Sequence, residues 1–149
     1  MKKEKGFTLI ELMVVVAIVG MFATTARPFF KQYQLETNRG DVQAEMLRVA
    51  QQLHFHYAVN STYTGANPLG TTDKIDYPAK KPLYEIALTL NNNATTSQNG
   101  VGFLLKATPK TNTIMKGDGA ICLNHRNEKH YAAKSTSCSP TKTSTWYGE

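Results

Sequence analysis

The sequence predicts an α+β fold, in which one long N-terminal helix packs on an antiparallel sheet of about four strands. Three observations predict it. An apolar run over residues 7–26 continues into a segment with helical periodicity. Short segments with alternating apolar residues, separated by turns, follow in the second half of the chain. A sheet with one polar face needs a partner on its other face, and the apolar stripe of the helix offers one.

The first element is an apolar segment that follows a short basic leader. Residues 1–6 contain three lysines, and the twenty residues from 7 to 26 contain a single charge, that of Glu11. At about 1.5 Å per residue, a helix of this length spans about 30 Å, the thickness of the hydrocarbon core of a bilayer. The leader lysines place the N-terminus on the cytoplasmic side by the positive-inside rule. The sequence therefore predicts a membrane-spanning helix, with the rest of the chain across the membrane.

The junction of the leader and the apolar run carries the string GFTLIEL, residues 6–12. With the basic leader before it, this string resembles the N-terminus of type IV prepilins and of their secretion pseudopilin relatives. An ordinary secretory signal is cut after its apolar region, whereas the candidate cut here precedes that region. The resemblance implies cleavage after Gly6 and N-methylation of Phe7 by a prepilin peptidase/methyltransferase. The alternative is a plain signal anchor in which Glu11 occurs by chance.

Glu11 lies within the apolar run, where an ionised carboxylate surrounded by hydrocarbon is energetically costly. The resemblance implies a filament in which the helices bundle in an apolar core. There, the α-amino group of Phe7 from a neighbouring subunit would neutralise Glu11 and offset the cost of burying both charges. We expect this pair to fix the axial register during assembly. The alternative is a protonated Glu11 without a role.

Gly20 and Pro28 are weak points in the same helix. Proline removes one helical hydrogen bond and clashes with the carbonyl group four residues earlier, here that of Thr24, and glycine lowers helix propensity. The resemblance to pilins implies that the stretch between the two residues can lose helical order when subunits pack in a filament. A simple kink is the alternative, and both remain open from the sequence.

Helical periodicity resumes after Pro28 and predicts an amphipathic half that packs on the sheet. Asn60 and Ser61 are expected to end the helix, and residues 60–82 have the Pro, Gly, Asn and Thr composition of a loop. The expected apolar stripe consists of Leu35, Val42, Met46, Val49, Leu53 and Tyr57.

Four short β-like segments follow the loop. Residues 84–90 alternate most clearly, with an apolar side chain at every second position. Polar turns are expected over residues 91–100 and 116–119. The other predicted strands are residues 102–108, 120–123 and 129–133.

Two cysteines, Cys122 and Cys138, lie late in the chain. Across a bacterial inner membrane the compartment is oxidising, so the pair is expected to form a disulfide, worth about 3 kcal/mol in the chain-entropy model. Two unpaired thiols are the alternative. Many type IV pilins carry a disulfide-bounded C-terminal loop, so the resemblance implies the same arrangement. The expected organisation is a cleaved leader (1–6), a transmembrane and filament-core helix half (7–30) and a periplasmic globular domain (31–149).

We do not expect an enzyme, because the sequence contains no Ser/His/Asp signature, no glycine-rich phosphate loop and no Cys–His nucleophile pattern. No metal site or cofactor is expected either. His54 and His56 point to different sides of a helix, His125 and His130 lie across a turn, and zinc needs three or four converging ligands. The chain also lacks the spacing of a calcium loop. The missing calcium-loop spacing disfavours a secretion pseudopilin, since those proteins often carry a calcium site.

The C-terminal half is basic, in a chain of net charge +6. Lys129, Lys134 and Lys142 form a candidate patch for DNA or other anions. Pili that take up DNA use such basic surface, so a DNA-receptor role is one hypothesis. The alternative is a solvated surface that keeps the domain soluble, which lysines spread over loops favour.

Three later segments, residues 81–86, 103–109 and 117–123, are similar to PilE-type minor pilins in their two strand patterns and in a Gly-Asp turn before a Cys. The resemblance implies a minor pilin that primes or modulates pilus assembly and supports twitching motility, adhesion or DNA uptake. Its implied partners are other pilin subunits, an inner-membrane assembly platform and the inner membrane. Its implied location is the inner membrane before assembly and the extracellular pilus afterwards. A major pilin, a type II secretion pseudopilin and a DNA-binding competence pilin are the alternatives.

Overall fold

The computed structural model describes residues 6–91 and 102–147, and for residues 24–29 it describes the backbone alone. The one α-helix in these residues, α1 (Leu9–Asn60), is 52 residues long. The contacts divide the chain into two compact units, Met1–Thr37 and Asn38–Glu149. The first unit contains the N-terminal part of α1, and the second contains the rest of α1 and the sheet.

In the first unit, α1 is continuous through Gly20 and through the backbone of Pro28. The kink or loss of helical order at these two residues stays a prediction. Residues 1–5 of the predicted leader lie outside the described residues. Within the part of the chain that the structure describes, no helix is both long and apolar enough to cross a membrane.

In the second unit, α1 buries the apolar face that the spacing predicts. Leu35, the first residue of the predicted stripe, belongs to the first unit and is partly buried. Tyr57, at the other end of the stripe, is 40% exposed. The helix ends at Asn60, as predicted, and Ser61 follows in the left-handed region with φ of 55°. The fully buried members of the stripe are Val42, Met46, Val49 and Leu53.

The second unit contains a five-stranded antiparallel sheet with its strands in chain order. The register places Leu105 opposite Leu88 on one neighbouring strand and opposite Leu123 on the other. All three leucines are buried, so the period-two alternation gives the sheet one continuous apolar face. The strands are β1 (Lys74–Tyr77), β2 (Tyr84–Asn91), β3 (Gly102–Pro109), β4 (Ala120–Asn124) and β5 (Lys129–Ala132).

The four predicted strands are β2 to β5, and each observed boundary lies within one residue of its prediction. β1 lies in the stretch predicted to be a loop, because four residues between turns are too few to show an alternation. Its charged side chains pair with the neighbouring segments: Lys74 with Glu85 at 3.0 Å, and Asp76 with Lys110 at 2.6 Å. The polar turn predicted over residues 91–100 lies, from residue 92 onward, outside the described residues.

β4 is buried on both faces, where the sequence predicts a sheet with one polar face. The predicted disulfide joins Cys122 to Cys138, with their Cα atoms 5.9 Å apart, and it holds the C-terminal tail (residues 133–147) over the second face. Trp146 in this tail is 6% exposed, and its Nε1 donates to the Cys122 carbonyl at 3.0 Å. The apolar cluster under the tail consists of Ala120, Cys122, Ala132, Leu104 and Cys138.

Candidate functional site

Thr8 and Glu11 form a capping box at the N-terminal end of α1. The backbone N and the Oγ1 of Thr8 donate to Glu11 Oε2 at 3.0 and 2.8 Å. In return, the backbone N of Glu11 donates to Thr8 Oγ1 at 3.3 Å. This reciprocal pair satisfies backbone donors that the first turn of a helix leaves without partners. The capping box was not predicted, although Thr-x-x-Glu before an apolar run is its sequence signature.

The apolar side chains of the N-terminal half are exposed in the single chain. Gly6 and Phe7, the predicted cleavage site, lie exposed immediately before α1, and Phe7 is 88% accessible. A contiguous exposed apolar surface of this size marks an interaction site. The exposed side chains that follow are Leu9, Ile10, Leu12, Met13, Val14, Val15, Val16, Ile18, Val19, Met21 and Phe22.

In the second unit, Asp118 joins the helix to the sheet. Arg39 of α1 donates through Nε to Asp118 Oδ2 at 2.9 Å and through Nη2 to Oδ1. Tyr84 of β2 and Tyr131 of β5 each donate a hydroxyl to the same carboxylate at 2.7 Å. The guanidinium of Arg39 also lies over the ring of Tyr131, 4.5 Å from its centroid. The Asp118 side chain is 4% exposed, so the structure buries this carboxylate together with its donors.

The surroundings of Asp118 shift the pKa values of the cluster. Burial opposes ionisation of Asp118, but the hydrogen bonds from Arg39, Tyr84 and Tyr131 outweigh it and lower the pKa of the carboxyl. Burial and the bond to Asp118 raise the pKa of Tyr131 to about 12. The same two causes raise the pKa of Tyr84. The cluster therefore keeps one negative and one positive charge over a wide pH range.

Two adjoining hollows separate the turn between β4 and β5 from the tail. The larger has a volume of about 970 Å³ and the smaller about 320 Å³. Arg126, Glu128, Thr141 and Lys142 line both hollows, and Lys129 lines the smaller one. The two hollows together are termed the tail groove. Its walls bring together three cationic side chains, one each from the turn, from β5 and from the tail.

The structure brings together two of the three lysines of the candidate anion patch. Lys129 and Lys142 line the tail groove, whereas Lys134 follows the opposite end of β5 and lines neither hollow. Lys129 is held in place, because its Nζ lies 4.9 Å from the ring centroid of Trp146 and its carbonyl accepts from Ser144 Oγ at 2.5 Å. The tail folds back beside β5. The spacing of the lysines along the sequence cannot show which of them this fold brings together.

His125 forms part of the wall of the larger hollow. Its ring meets the ring of Phe103 edge-on, with the centroids 6.4 Å apart, and its backbone N donates to the Phe103 carbonyl at 3.1 Å. Gly102 leaves room for the imidazole, since a Cβ at that position would come within 2.5 Å of His125 Nδ1. Burial, together with the positive charge of Arg126, lowers the pKa of His125. Across the described residues, no group of three or more potential metal ligands occurs.

Two family models match the chain. A model described as the prokaryotic N-terminal methylation motif matches residues 1–26, and one described as type IV minor pilin ComP, DNA uptake sequence receptor, matches residues 28–126. The chain belongs to the type IV pilin family. In this pilin, the ComP match covers the packed half of α1 and strands β1 to β4. It ends at Arg126, in the turn that forms one wall of the tail groove.

Curated relatives of this pilin include both fimbrial proteins and a major pilin. It is 31% identical to fimbrial protein EcpC of Eikenella corrodens over 118 residues, which are 76% of this chain and 68% of EcpC. It is 35% identical to a type IV major pilin of Neisseria gonorrhoeae over 100 residues, 64% of this chain and 44% of that protein. A fimbrial protein of Pseudomonas aeruginosa is 57% identical over 37 residues, 25% of this chain and 24% of that protein.

Proposed function

We propose that this pilin is a minor subunit of type IV pili that binds DNA during uptake. The observation that carries the proposal is the tail groove, whose smaller hollow gathers Arg126, Lys129 and Lys142. The match to the model of a DNA uptake receptor supports it. A major pilin is the second candidate, because the relative in Neisseria gonorrhoeae is a major pilin.

The exposed apolar half of α1 supports assembly into a filament. Side chains between Phe7 and Phe22 would be buried against the helices of neighbouring subunits, and against lipid in the inner membrane before assembly. In the proposed sequence of events, the leader (1–6) is removed, Phe7 is methylated and an inner-membrane platform assembles the subunit into the extracellular pilus. Residues 7–30 then lie in the filament core and residues 31–149 outside it. The chain has a structural role here and no catalytic one.

Glu11 is proposed to set the axial register by pairing with the Phe7 amine of a neighbouring subunit. The capping box supports this role, because the Glu11 carboxylate is held by two hydrogen bonds from Thr8 at the very end of the helix. Cleavage after Gly6 keeps Thr8 in the mature chain. The carboxylate is therefore already oriented when the amine of the next subunit approaches, and less side-chain entropy is lost on pairing.

The chemistry of the tail groove suits a polyanion. Cations that follow one channel neutralise successive phosphates and release counterions. Glu128 also lines the groove, but its Oε2 accepts a hydrogen bond from Asn124 Nδ2 at 2.6 Å, which ties the carboxylate to the turn. Contacts of lysine and arginine with phosphates position a duplex without reading its sequence. We therefore propose that the groove supplies affinity for the DNA backbone.

The test is the salt dependence of DNA binding, measured by fluorescence anisotropy of a short duplex with the full-length pilin in detergent micelles. The slope of log affinity against log salt is negative, and each lost phosphate contact makes it flatter by about 0.9. The double variant Lys129→Gln, Lys142→Gln should therefore give a slope that is flatter by about 1.8. The matched double variant Lys116→Gln, Lys134→Gln removes the same charge outside the groove and should leave it unchanged. No binding by the wild type at low salt, or equal losses in both variants, would contradict the proposal.

A further inference from the structure

We infer that His125 makes DNA binding in the tail groove depend on protonation, by adding one more cation to the wall of the groove in mildly acidic solution. This inference rests on the proposed function, because it concerns the same groove and the same ligand. His125 shares the larger hollow with Lys142 and differs from the lysines of the groove in two ways. Its position is fixed by packing, and its charge changes near physiological pH.

The position of the imidazole is fixed by the first two residues of β3. Gly102 lies directly against the ring, with no room for a side chain between them, and Phe103 covers one edge. The backbone bond from His125 N to the Phe103 carbonyl anchors the turn at the same point. With its β3 side enclosed in this way, the ring also lines the larger hollow together with Arg126 and Lys142. A lysine side chain is long and flexible, whereas this ring packs against Gly102 and Phe103.

Charged or titratable groups from three elements face His125. Arg126 and Glu128 flank it in the turn, Lys142 lines the same hollow from the tail, and His54 of α1 packs on Phe103 with ring centroids 5.3 Å apart. Burial, Arg126 and His54 disfavour the imidazolium form, while Glu128 and the hydrogen bond to the Phe103 backbone favour it. The net effect of these causes lowers the pKa of His125, so the ring is neutral at neutral pH in the absence of an anion.

A phosphate in the groove reverses this balance. Its negative charge favours the imidazolium form, so proton binding and DNA binding each strengthen the other. We expect duplex DNA to bind about fivefold tighter at about pH 5.5 than at about pH 8, which corresponds to one added charge pair in a solvated setting. The slope of log affinity against log salt should be steeper (more negative) by about 0.9 at the lower pH.

The test compares anisotropy titrations of a fluorescent duplex at the two pH values for the full-length pilin and two variants. His125→Gln keeps a polar side chain of similar size without the titrating ring, and it should bind DNA with little dependence on pH. His56→Gln is the matched control: His56 lies near the end of α1, where Nε2 is 3.3 Å from the Thr64 carbonyl, and it does not line the groove. This control should keep the full fivefold response.

A second measurement needs no variant. In NMR titrations of the imidazole protons of the wild-type pilin, DNA should raise the pKa of His125, and the resonances of the His56 ring should not respond to DNA. A pKa of His125 that DNA does not change would overturn the inference, as would a pH response that persists in His125→Gln. Both results are distinct from failure of the proposed function. That failure would appear as a wild-type pilin that does not bind the duplex at either pH, even at low salt, and it would overturn the present inference as well.

Discussion

Arg39 and Asp118 lie 79 residues apart in the sequence and form a salt bridge that joins α1 to the turn before β4. Because Tyr84 and Tyr131 donate to the same carboxylate, this one buried group also ties the helix to β2 and β5. Arg39 is the second residue of the second unit, so the bridge lies where the packed half of the helix begins. The packing of α1 on the sheet therefore depends on a polar cluster as well as on the apolar stripe.

Asp118→Asn should lower the free energy of unfolding by about 3 kcal/mol, because a neutral amide leaves Arg39 partly buried without its counter-ion. Urea unfolding of the full-length pilin in micelles, followed by the fluorescence of Trp146, measures the change. Asp76→Asn is the matched control, since it removes a carboxylate from an exposed pair with Lys110 and should cost at most about 1 kcal/mol. Similar losses of unfolding free energy in the two variants would show that the buried cluster stabilises the fold no more than an exposed ion pair does.

The same cluster predicts a loss of stability at both ends of the pH scale. The pKa of Asp118 is lower in the folded state than in the unfolded state, so its contribution is present above the ordinary carboxyl pKa of about 4 and is lost as the pH falls through the lowered value. The pKa of Tyr131 is raised to about 12, so its contribution is present below about pH 10 and is lost as the pH rises toward that value.

Urea midpoints measured across the pH range check both signs. Asp118→Asn should flatten the acid side of the profile. Tyr131→Phe should weaken the alkaline loss, and Tyr147→Phe, at a position 92% exposed, should leave it unchanged. An alkaline limb that is identical in Tyr131→Phe and in the wild type would contradict the role given to this hydroxyl.

The elements whose sequence patterns lie within one segment were predictable. Contacts between residues that are far apart in the sequence were not. The alternation of residues 84–90 and the stripe from Val42 to Leu53 each repeat within one element, so β2 and the packed half of α1 were predictable. β1 has too few residues to show a period. The Asp118 cluster draws its donors from three separate elements, and no pattern within one segment connects them.

The candidate site also has features that the sequence predicts and features that only the fold shows. Glu11 was predictable as an isolated acid in an apolar run, and its capping box with Thr8 is a local signature that the sequence also contains. The basic patch was predicted as three lysines, but only the fold shows that Lys129 and Lys142 share a groove without Lys134. The disulfide was predictable, whereas the covering of β4 by the tail required the structure.

Removal of the disulfide should destabilise the second unit and free the tail. The double variant Cys122→Ala, Cys138→Ala opens a loop with a sequence separation of 16 residues, and such loops are worth about 3 kcal/mol. Because Trp146 donates to the Cys122 carbonyl from the same tail, its emission should shift to longer wavelength. A variant with the wild-type urea midpoint and emission maximum would show that the tail is held by other contacts.

Glu11→Ala should leave cleavage after Gly6 intact and reduce incorporation into pili, because the amine of the neighbouring subunit loses its partner. Thr8→Ala separates this effect from helix capping, since it removes the N-cap, at a cost of about 1 kcal/mol to the helix end, and keeps the carboxylate. Quantitative immunoblots of sheared pili, normalised to processed pilin in the cells, measure incorporation. Equal defects in the two variants would mean that Glu11 acts through the capping box alone.

The copy number of this chain in purified pili tests the central claim, that of a minor pilin, most directly. Quantitative mass spectrometry of sheared filaments gives that number against the dominant subunit, and the same spectra show the N-terminal peptide. The account predicts a chain that is present, rare, and begins at a methylated Phe7. A chain that makes up the bulk of the filament, or that is absent from it, would contradict the account.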